Sequence, residues 1–404
     1  MDELFFLEHE KQISQLVNQT IIWRGDQLLN ALNNNPVPYG SYALAETASD
    51  GWGYSTTSSG ERHFLTNHHT ARIRQNGLAK RVSLYINALD GTTNLYIAFW
   101  RKNKNGTWDR IYQEDIFSKI TKKSINTIEL AQWVPVREGD YVGYGVKGAE
   151  AMYYQFKAIP NAGTGASYFI TESEPTATGF DWTAGSSSTA YMPVNVYGES
   201  PTLVTIGDSI IAGHPHHYSY IESTQKDEIE STIAYHISQA IGWTYQNMGI
   251  GSQTSTSIKN RFDKDAVALR PRIALISAGV NDLAGGLITE ETYTGNIKYM
   301  LDKSIEAGIL PIVLKILPWT NGTDEQMRTR DTWNAALEDL VSEYAGAILV
   351  DASTYGGVNR ADGDEGNLWD INPIYDVDGV HFNAAGYEKI AEGIVDAIKV
   401  AWIT

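Results

Sequence analysis

The chain contains a serine, a histidine and an aspartate whose surroundings suit nucleophilic catalysis. Ser209 follows the apolar run 203–207 and Asp208, so a buried strand is predicted to end in an exposed hydroxyl group. A serine hydroxyl is a poor nucleophile unless a base removes its proton, and that base needs an orienting partner. His381 is the candidate base, and Asp378 on the same predicted loop is placed to accept the other imidazole N–H. These residues predict acyl transfer.

These residues belong to a set of short polar blocks spread over the C-terminal half of the chain. The blocks are Gly207-Asp-Ser209, Asn247-Met-Gly-Ile-Gly-Ser-Gln-Thr254, Gly279-Val-Asn-Asp282 and Asp378-Gly-Val-His381. In this order and spacing they resemble the SGNH (GDSL-type) hydrolase family. The resemblance implies that Ser209 is the nucleophile, His381 the base and then the acid, and Asp378 the orienting residue.

The resemblance also implies an oxyanion hole, which stabilises the negative charge of the tetrahedral intermediate. Its donors are the backbone N–H of Ser209, a backbone N–H from the second block and the side-chain amide of Asn281. The family has a second glycine where this chain has Ser252, and a serine resists positive φ. We predict the Ser252 N–H as the second donor, with Gly251 as the alternative.

Other residues in or near these blocks are predicted to have structural roles. Gly207 and Gly279 serve backbone geometry, and Asp208 and Asp282 hold loops by hydrogen bonds. Pro318 and Trp319 either rim the cleft or pack in the core.

Two groups of histidines raise the question of a metal site. They are His214, His216 and His217 after the nucleophile, and His63, His68 and His69 earlier in the chain. No cysteine or carboxylate stands at ligand spacing beside them, so we predict polar cleft lining and neither metal nor cofactor.

Strands and helices alternate in residues 198–404, which we predict to be the catalytic domain. The strands are predicted near 203–207, 243–248, 272–277, 309–317 and 347–351, and the last helix over 383–400. This alternation predicts a five-stranded parallel sheet in a three-layer, flavodoxin-like α/β sandwich with right-handed crossovers. The candidate residues then meet at the C-terminal ends of strands or in the loop before the last helix.

The preceding residues have a different texture. Short alternating runs separated by Gly, Asn and Asp predict an all-β sandwich over 36–197, jelly-roll-like and rich in aromatic residues. Most aromatic side chains fill its core in this interpretation, and outward-facing ones offer stacking surfaces for sugar rings. Residues 1–35 have the apolar spacing of an amphipathic helix, which packs on its own domain or joins copies of the chain in a homo-oligomer.

Composition limits the partners. The chain has 404 residues, no cysteine and a formal net charge of −17, which disfavours nucleic acid and anionic membrane surfaces. The apolar run 4–7 is too short for a secretory signal, and the residues before it are acidic rather than basic. No apolar run is long enough to span a membrane. The compartment stays open, with an extracellular or virion-associated location among the alternatives.

Together these features predict a serine esterase that removes short acyl groups, acetyl first, from a carbohydrate. One alternative is a lipid or aryl esterase. Another is a phage-tail or surface receptor-binding protein in which the esterase domain is auxiliary, an interpretation motivated by residues 1–35.

Overall fold

A computed structural model describes most of the chain. The described residues are 37–38, 52–56, 61–65, 73, 75–148, 151–155, 157–158, 169–171, 174–182, 190–191, 194–217, 228–286, 288–354 and 370–403. The predicted helix over 1–35, with its oligomerisation role, and the residues His68 and His69 lie outside this set. The described residues form two compact units that divide between Glu199 and Ser200. We call residues 37–199 the β unit and residues 200–403 the α/β unit.

The β unit consists of antiparallel strands. They are β1 (Val37–Pro38), β2 (Trp52–Thr56), β3 (Glu61–Leu65), β4 (Gly77–Asp90), β5 (Asn94–Lys102), β6 (Trp108–Asp115), β7 (Ser124–Val136), β8 (Tyr141–Lys147), β9 (Ala151–Gln155), β10 (Lys157–Ala158), β11 (Phe169–Thr171), β12 (Ala190–Tyr191) and β13 (Asn195–Gly198), with a 3₁₀ turn at Phe117–Lys119. One six-stranded sheet has the order β1-β13-β4-β9-β2 with β7 also on β4, a five-stranded sheet has the order β11-β3-β8-β5-β6, and β10 pairs with β12.

The pattern of burial explains these strands. Along β7, buried Asn126, Ile128 and Leu130 alternate with exposed Thr127 and Glu129, as expected for a strand with one face on a core. The predicted antiparallel β region before the α/β domain is confirmed, and its jelly-roll arrangement stays a prediction.

An aromatic cluster anchors the core of the five-stranded sheet. Trp100, Trp108, Tyr141 and Trp182 are buried together there. The rings of Trp100 and Trp182 meet edge to face with centroids 5.1 Å apart.

The α/β unit alternates strands with helices. Its strands are β14 (Leu203–Gly207), β15 (Tyr245–Gly249), β16 (Ile273–Ser277), β17 (Leu310–Leu314) and β18 (Ile348–Val350). Its helices are α1 (Ser209–Ala212), α2 (Ile233–Ile241), α3 (Ser255–Asp265), α4 (Val280–Gly285), α5 (Glu290–Ala307), α6 (Asp324–Ser342) and α7 (Ala384–Ile403), with 3₁₀ turns at Ile229–Ser231, Val267–Leu269 and Ala352–Thr354.

The predicted five-stranded parallel sheet is confirmed, with the order β15-β14-β16-β17-β18. This is the order second, first, third, fourth, fifth along the chain, which is the flavodoxin-like winding. Every residue of β14, β15 and β16 is buried, because helices cover both faces of such a sheet. Helix α2 packs on α7, while α5 packs on α3 and α6.

The fourth strand is shorter than the apolar run 309–317 predicts. It ends at Leu314, and the N–H of Ile316 then donates to the side-chain oxygen of Asn334 on α6 at 2.8 Å. The run stays apolar beyond the strand because Ile316 and Leu317 are buried under that helix turn. Among the described helices, none combines the length and the apolar character needed to cross a bilayer.

Candidate active site

Ser209 is the first residue of helix α1 and follows β14 after a single residue, Asp208. The Asp208 carboxylate caps the helix by accepting the Ile210 N–H at 2.9 Å. The N–H of Ser209 stands in the first helical turn, where no intrahelical acceptor exists, so it is available to a ligand. The Ser209 side chain therefore sits at the C-terminal edge of the sheet, with 7% of the residue exposed.

The sheet order explains why this edge forms a site. Strand β14 lies between β15 and β16, so the chain leaves β14 toward one neighbour and later returns on the other side. Connections diverge at such a switch point and leave a crevice beyond the strand ends. Ser209 follows β14 and Asn281 follows β16, so both lie at this crevice.

His381 connects Ser209 to Asp378. Its Nε2 is 2.8 Å from the Ser209 Oγ, and its Nδ1 is 2.8 Å from Oδ2 of Asp378. An imidazole whose Nδ1–H donates to a carboxylate exposes Nε2 as the acceptor, which is the tautomer that can take a proton from the serine. The structure thus brings the three predicted residues into one hydrogen-bonded chain.

Asp378 is held as an anion by its own loop. Its Oδ1 accepts the backbone N–H groups of Val380 at 3.1 Å and His381 at 2.9 Å. Partial burial acts to raise the pKa of Asp378, but the hydrogen bonds from His381 and from the loop outweigh it and hold that pKa below its ordinary value. The carboxylate is therefore charged throughout the neutral pH range.

The loop after β17 fixes the position of this segment. The Asn321 side-chain amide donates to the carbonyl of Asp378 at 2.8 Å, and the Asn321 N–H donates to the carbonyl of Gly379 at 3.1 Å. Asp376 accepts the Gly379 N–H and the Thr320 hydroxyl, each at 2.6 Å. Asp378 and His381 consequently stand on a loop that is bonded on both sides.

The predicted oxyanion donors lie on two segments that contact each other. The amide of Asn281 donates one hydrogen to the carbonyl of Gln253 at 3.0 Å and keeps its second hydrogen for another acceptor. Gln253 follows Ser252, and the same loop begins with Ile250, whose N–H donates to the carbonyl of Gly207 at 3.0 Å. The loop between β15 and α3 is therefore bonded both to Asn281 and to the end of β14.

Ser252 adopts the conformation that the family pattern assigns to glycine. Its φ is 61°, in the left-handed region where a non-glycine residue costs roughly 1–2 kcal/mol. The serine accepts this conformation, and its backbone N–H remains in the loop beside Gln253. Whether Ser252 or Gly251 meets the oxyanion stays a prediction.

Asp282 ties the Asn281 segment to helix α3. Its carboxylate accepts the Ser255 N–H at 2.8 Å and the Ser255 hydroxyl at 2.9 Å. Burial raises the pKa of Asp282, and burial together with the nearby Asp282 charge raises the pKa of Asp208 to about 6. The predicted loop-holding roles of both aspartates agree with these contacts.

Two glycines allow the backbones to come this close. A Cβ on Gly249 would lie 2.2 Å from the Ala212 N, so only glycine lets helix α1 pack on the end of β15. Gly279 has a φ of 124°, which only glycine adopts without strain, and it turns the chain from β16 into the Asn281 segment.

The histidines near the nucleophile have separate surroundings. The ring of His214 lies beside that of His381, with centroids 5.5 Å apart, whereas His216 pairs with Glu228 and the buried His217 bonds the Ala212 carbonyl. In the part of the chain that the structure describes, no three metal-binding side chains come together. Trp319 and Pro318 are buried, which favours the core interpretation over the cleft rim.

The sequence did not predict two residues that hold the segments of the site in place by hydrogen bonds, Asn321 and Arg261. Asn321 follows a strand end without resembling any of the four blocks, and Arg261 stands in the middle of α3. The available signals were weak: a turn of the type Trp-Thr-Asn-Gly after the fourth strand, and a lone arginine among the polar residues of a helix.

Known proteins resemble this part of the chain. The model of the GDSL-like Lipase/Acylhydrolase family matches residues 205–389. These residues are a GDSL-like lipase/acylhydrolase domain. All four blocks, from Ser209 to His381, lie within the GDSL-like domain, and the predicted family relationship is confirmed for it.

Individual relatives are distant. The uncharacterized lipoprotein YqeF of Bacillus subtilis (strain 168) is 31% identical over 83 residues, 19% of this chain and 33% of that protein. The chain thus matches about a third of the length of this curated relative.

Two solved structures resemble the GDSL-like domain. A GDSL-like lipase from Bacteroides thetaiotaomicron VPI-5482 is 25% identical, with a TM-score of 0.39 over 49% of this chain and 88% of that chain. An acetylxylan esterase from Geobacillus stearothermophilus is 19% identical, with a TM-score of 0.38 over 48% of this chain and 93% of that chain.

Proposed function

We propose that the GDSL-like domain is a serine esterase that removes short acyl groups, acetyl first, from a carbohydrate. The observation that carries the esterase chemistry is the chain of two 2.8 Å hydrogen bonds from Ser209 through His381 to Asp378. A nucleophile, a base and an orienting anion in this sequence of contacts fit acyl transfer through a covalent intermediate.

In the first half of the reaction, the Ser209 Oγ attacks the ester carbonyl while His381 Nε2 takes the hydroxyl proton. The imidazolium that forms is stabilised by the anionic Asp378 on its other nitrogen. The carbonyl oxygen becomes negative and is met by the Ser209 N–H, the free hydrogen of the Asn281 amide and a backbone N–H of the loop 250–253. When the resulting tetrahedral intermediate collapses, His381 gives its proton to the leaving alcohol, and an acyl-enzyme remains.

In the second half, water replaces the alcohol. His381 removes a proton from that water as it attacks the acyl carbonyl, and the same donors receive the second oxyanion. When the intermediate collapses, the carboxylic acid leaves and His381 returns the proton to Ser209. The cycle ends in its starting protonation state.

The carbohydrate part of the proposal rests on the β unit. Trp133 is 42% exposed on β7, with the Lys80 ammonium 4.9 Å from its ring centroid. An outward-facing indole is the type of surface on which a sugar ring stacks. The acidic net charge of the chain further favours a neutral or cationic substrate over an anionic one.

One observation favours a second candidate, an esterase for longer acyl or aryl esters. Ile374 is 67% exposed and Val377 is 44% exposed, and both lie on the segment that carries Asp378. Aliphatic side chains at this place would contact an apolar substrate and gain hydrophobic free energy from it.

A series of p-nitrophenyl esters separates the two candidates. We expect kcat/KM to be highest for acetate and to fall as the acyl chain lengthens, and we expect acetylated oligosaccharides to release acetate. A preference for chains of about eight carbons or more would replace the deacetylase proposal with the apolar one. Ser209→Ala should lower the rate at least ~10³-fold in every case, and hydrolysis that survives this change would remove the esterase proposal itself.

A further inference from the structure

Arg261 lies on helix α3, and two of its three guanidinium nitrogens bond residues of the proposed site. Its Nη2 donates to the carbonyl of Gly207 at 2.8 Å, and its Nε donates to the side-chain oxygen of Gln253 at 2.6 Å. Asp265, one turn further along the helix, accepts from its Nη1 at 3.2 Å and fixes the orientation of the group. The side chain is largely buried, so these bonds are shielded from bulk water.

The two outer partners of Arg261 belong to different parts of the proposed site. Gly207 is the last residue of β14, directly before Asp208 and Ser209. Gln253 offers its side chain to Arg261 and its backbone carbonyl to the Asn281 amide, which donates to it at 3.0 Å. One cation therefore joins the end of the nucleophile strand to the residue that aligns Asn281.

We propose that Arg261 is a positioning residue that sets the distance between the Ser209 nucleophile and the oxyanion donor Asn281. This inference rests on the esterase function proposed above. Arg261 does not touch the reacting atoms; it acts through Gln253 and Asn281. A planar guanidinium group donates from different nitrogens, so it can bond two acceptors that lie some distance apart. An ammonium group has only one nitrogen and cannot reach both acceptors in this way.

Misplacing a donor affects the transition state more than the bound ester. A displacement of about 1 Å at the reacting centre lowers rates by roughly 10²-fold, because the hydrogen bond to the developing charge depends steeply on geometry. The ground-state ester carries little charge on that oxygen. Loss of Arg261 should therefore lower kcat and leave KM nearly unchanged.

The test combines Arg261→Ala, Asn281→Ala and the double variant, measured with p-nitrophenyl acetate and with thermal unfolding. We expect Arg261→Ala to lower kcat by roughly 10- to 100-fold with KM within about threefold. The double variant should be within about threefold of Asn281→Ala alone, because both changes disable the same donor. Independent losses that multiply, or a kcat for Arg261→Ala within twofold of the unchanged chain, would overturn the proposal.

Three further variants keep the result interpretable. Lys298→Ala removes an exposed i,i+4 ion pair of the same type, Lys298 with Asp302 on α5, and should leave kcat unchanged. Arg261→Lys keeps the charge but loses the planar group. Its log kcat should therefore lie closer to that of Arg261→Ala than to that of the original protein. Gln253→Ala keeps the carbonyl that Asn281 needs; if Arg261→Ala fails to fold, this variant should lower kcat several-fold, and no loss would refute the proposal. Ser209→Ala tests the esterase function separately, since its outcome does not depend on Arg261.

Discussion

The two units of the chain use polar side chains in different ways. In the β unit, polar residues pair between neighbouring strands or their ends. Ser83 Oγ lies 3.0 Å from Thr127 Oγ1, and Arg101 on β5 bonds Asp140, directly before β8, at 2.7 and 2.9 Å. In the GDSL-like domain, polar residues far apart in sequence meet at one edge of the sheet, as Ser209 and His381 do.

Strand direction explains the difference. All strands of a parallel sheet end at the same edge, so the loops after β14, β15, β16 and β17 are neighbours, and the segment before α7 joins them. Antiparallel strands end alternately at opposite edges, so successive connections of the β unit are divided between two ends. Convergence of many loops around one serine, Ser209, is therefore a property of the α/β unit, whereas the β unit offers sheet faces.

The first prediction tests whether the two units function separately, by destabilising the β unit alone. Trp100→Ala empties a site in the aromatic cluster and should destabilise the β unit by about 3–5 kcal/mol. Hydrolysis of p-nitrophenyl acetate should stay within twofold, because Ser209, His381 and Asp378 all belong to the other unit. Calorimetry and steady-state kinetics measure the two effects, with Trp133→Ala as the exposed control; a matching loss of kcat would mean that the units are not functionally separate.

The second prediction concerns the proposed oxyanion donor Asn281, which lies on the segment after β16. Asn281→Ala removes one oxyanion donor and should lower kcat by about 10²–10³-fold, with the fold unchanged by circular dichroism. Asn94→Ala is the control, since the Asn94 amide donates to Asp115 in the β unit and takes no part in the network around Asn281. A loss of tenfold or less at Asn281 would assign the oxyanion role to the backbone donors.

The third prediction uses the buried carboxyl group of Asp208, next to Ser209. Burial raises the pKa of Asp208 from 3.8 to about 6, so between these pH values the folded chain holds a proton that the unfolded chain has released. The contribution of Asp208 to the free energy of unfolding should therefore fall as pH rises through this window and level off above it. Asp208→Asn lacks this dependence, and its stability relative to the unchanged chain should rise across the window by up to about 3 kcal/mol.

Denaturant titrations at pH 4, 5, 6 and 7 measure this difference. Asn caps helices as well as Asp does, so the cap of α1 is retained in the variant. A constant difference across the series would show that Asp208 ionises normally in the folded chain.

Much of the α/β unit was predictable because its signals are local. Strands buried on both faces appear as continuous apolar runs, and the polar blocks at their ends mark the edge where a site forms. The limits of the fourth strand were not predictable in this way: Ile316 is apolar because it is buried, and the sequence does not say that Asn334 rather than a strand binds its N–H.

The composition of the candidate site was predictable to the extent that the proposed chemistry depends on residue type. Ser209, His381 and Asp378 are the residue types that the proposed acyl transfer needs, and the fold brings them together. Arg261 and Asn321 act through partners about 54 and 57 residues away, Gly207 and Asp378, and no local pattern encodes such a contact. Ser252 is intermediate: its position in the block suggested positive φ, but the serine itself argued against it.

The single loop that carries both Asp378 and His381 has a consequence for how this domain loses activity. Because His381 and its aligning carboxylate stand on the same short backbone segment, a displacement of that segment moves both away from Ser209. Release of the Asn321 tether would retract the two together, and a chain in that state would be inert rather than slow. Partial damage to the loop should thus reduce the number of working molecules while each survivor turns over at its full speed.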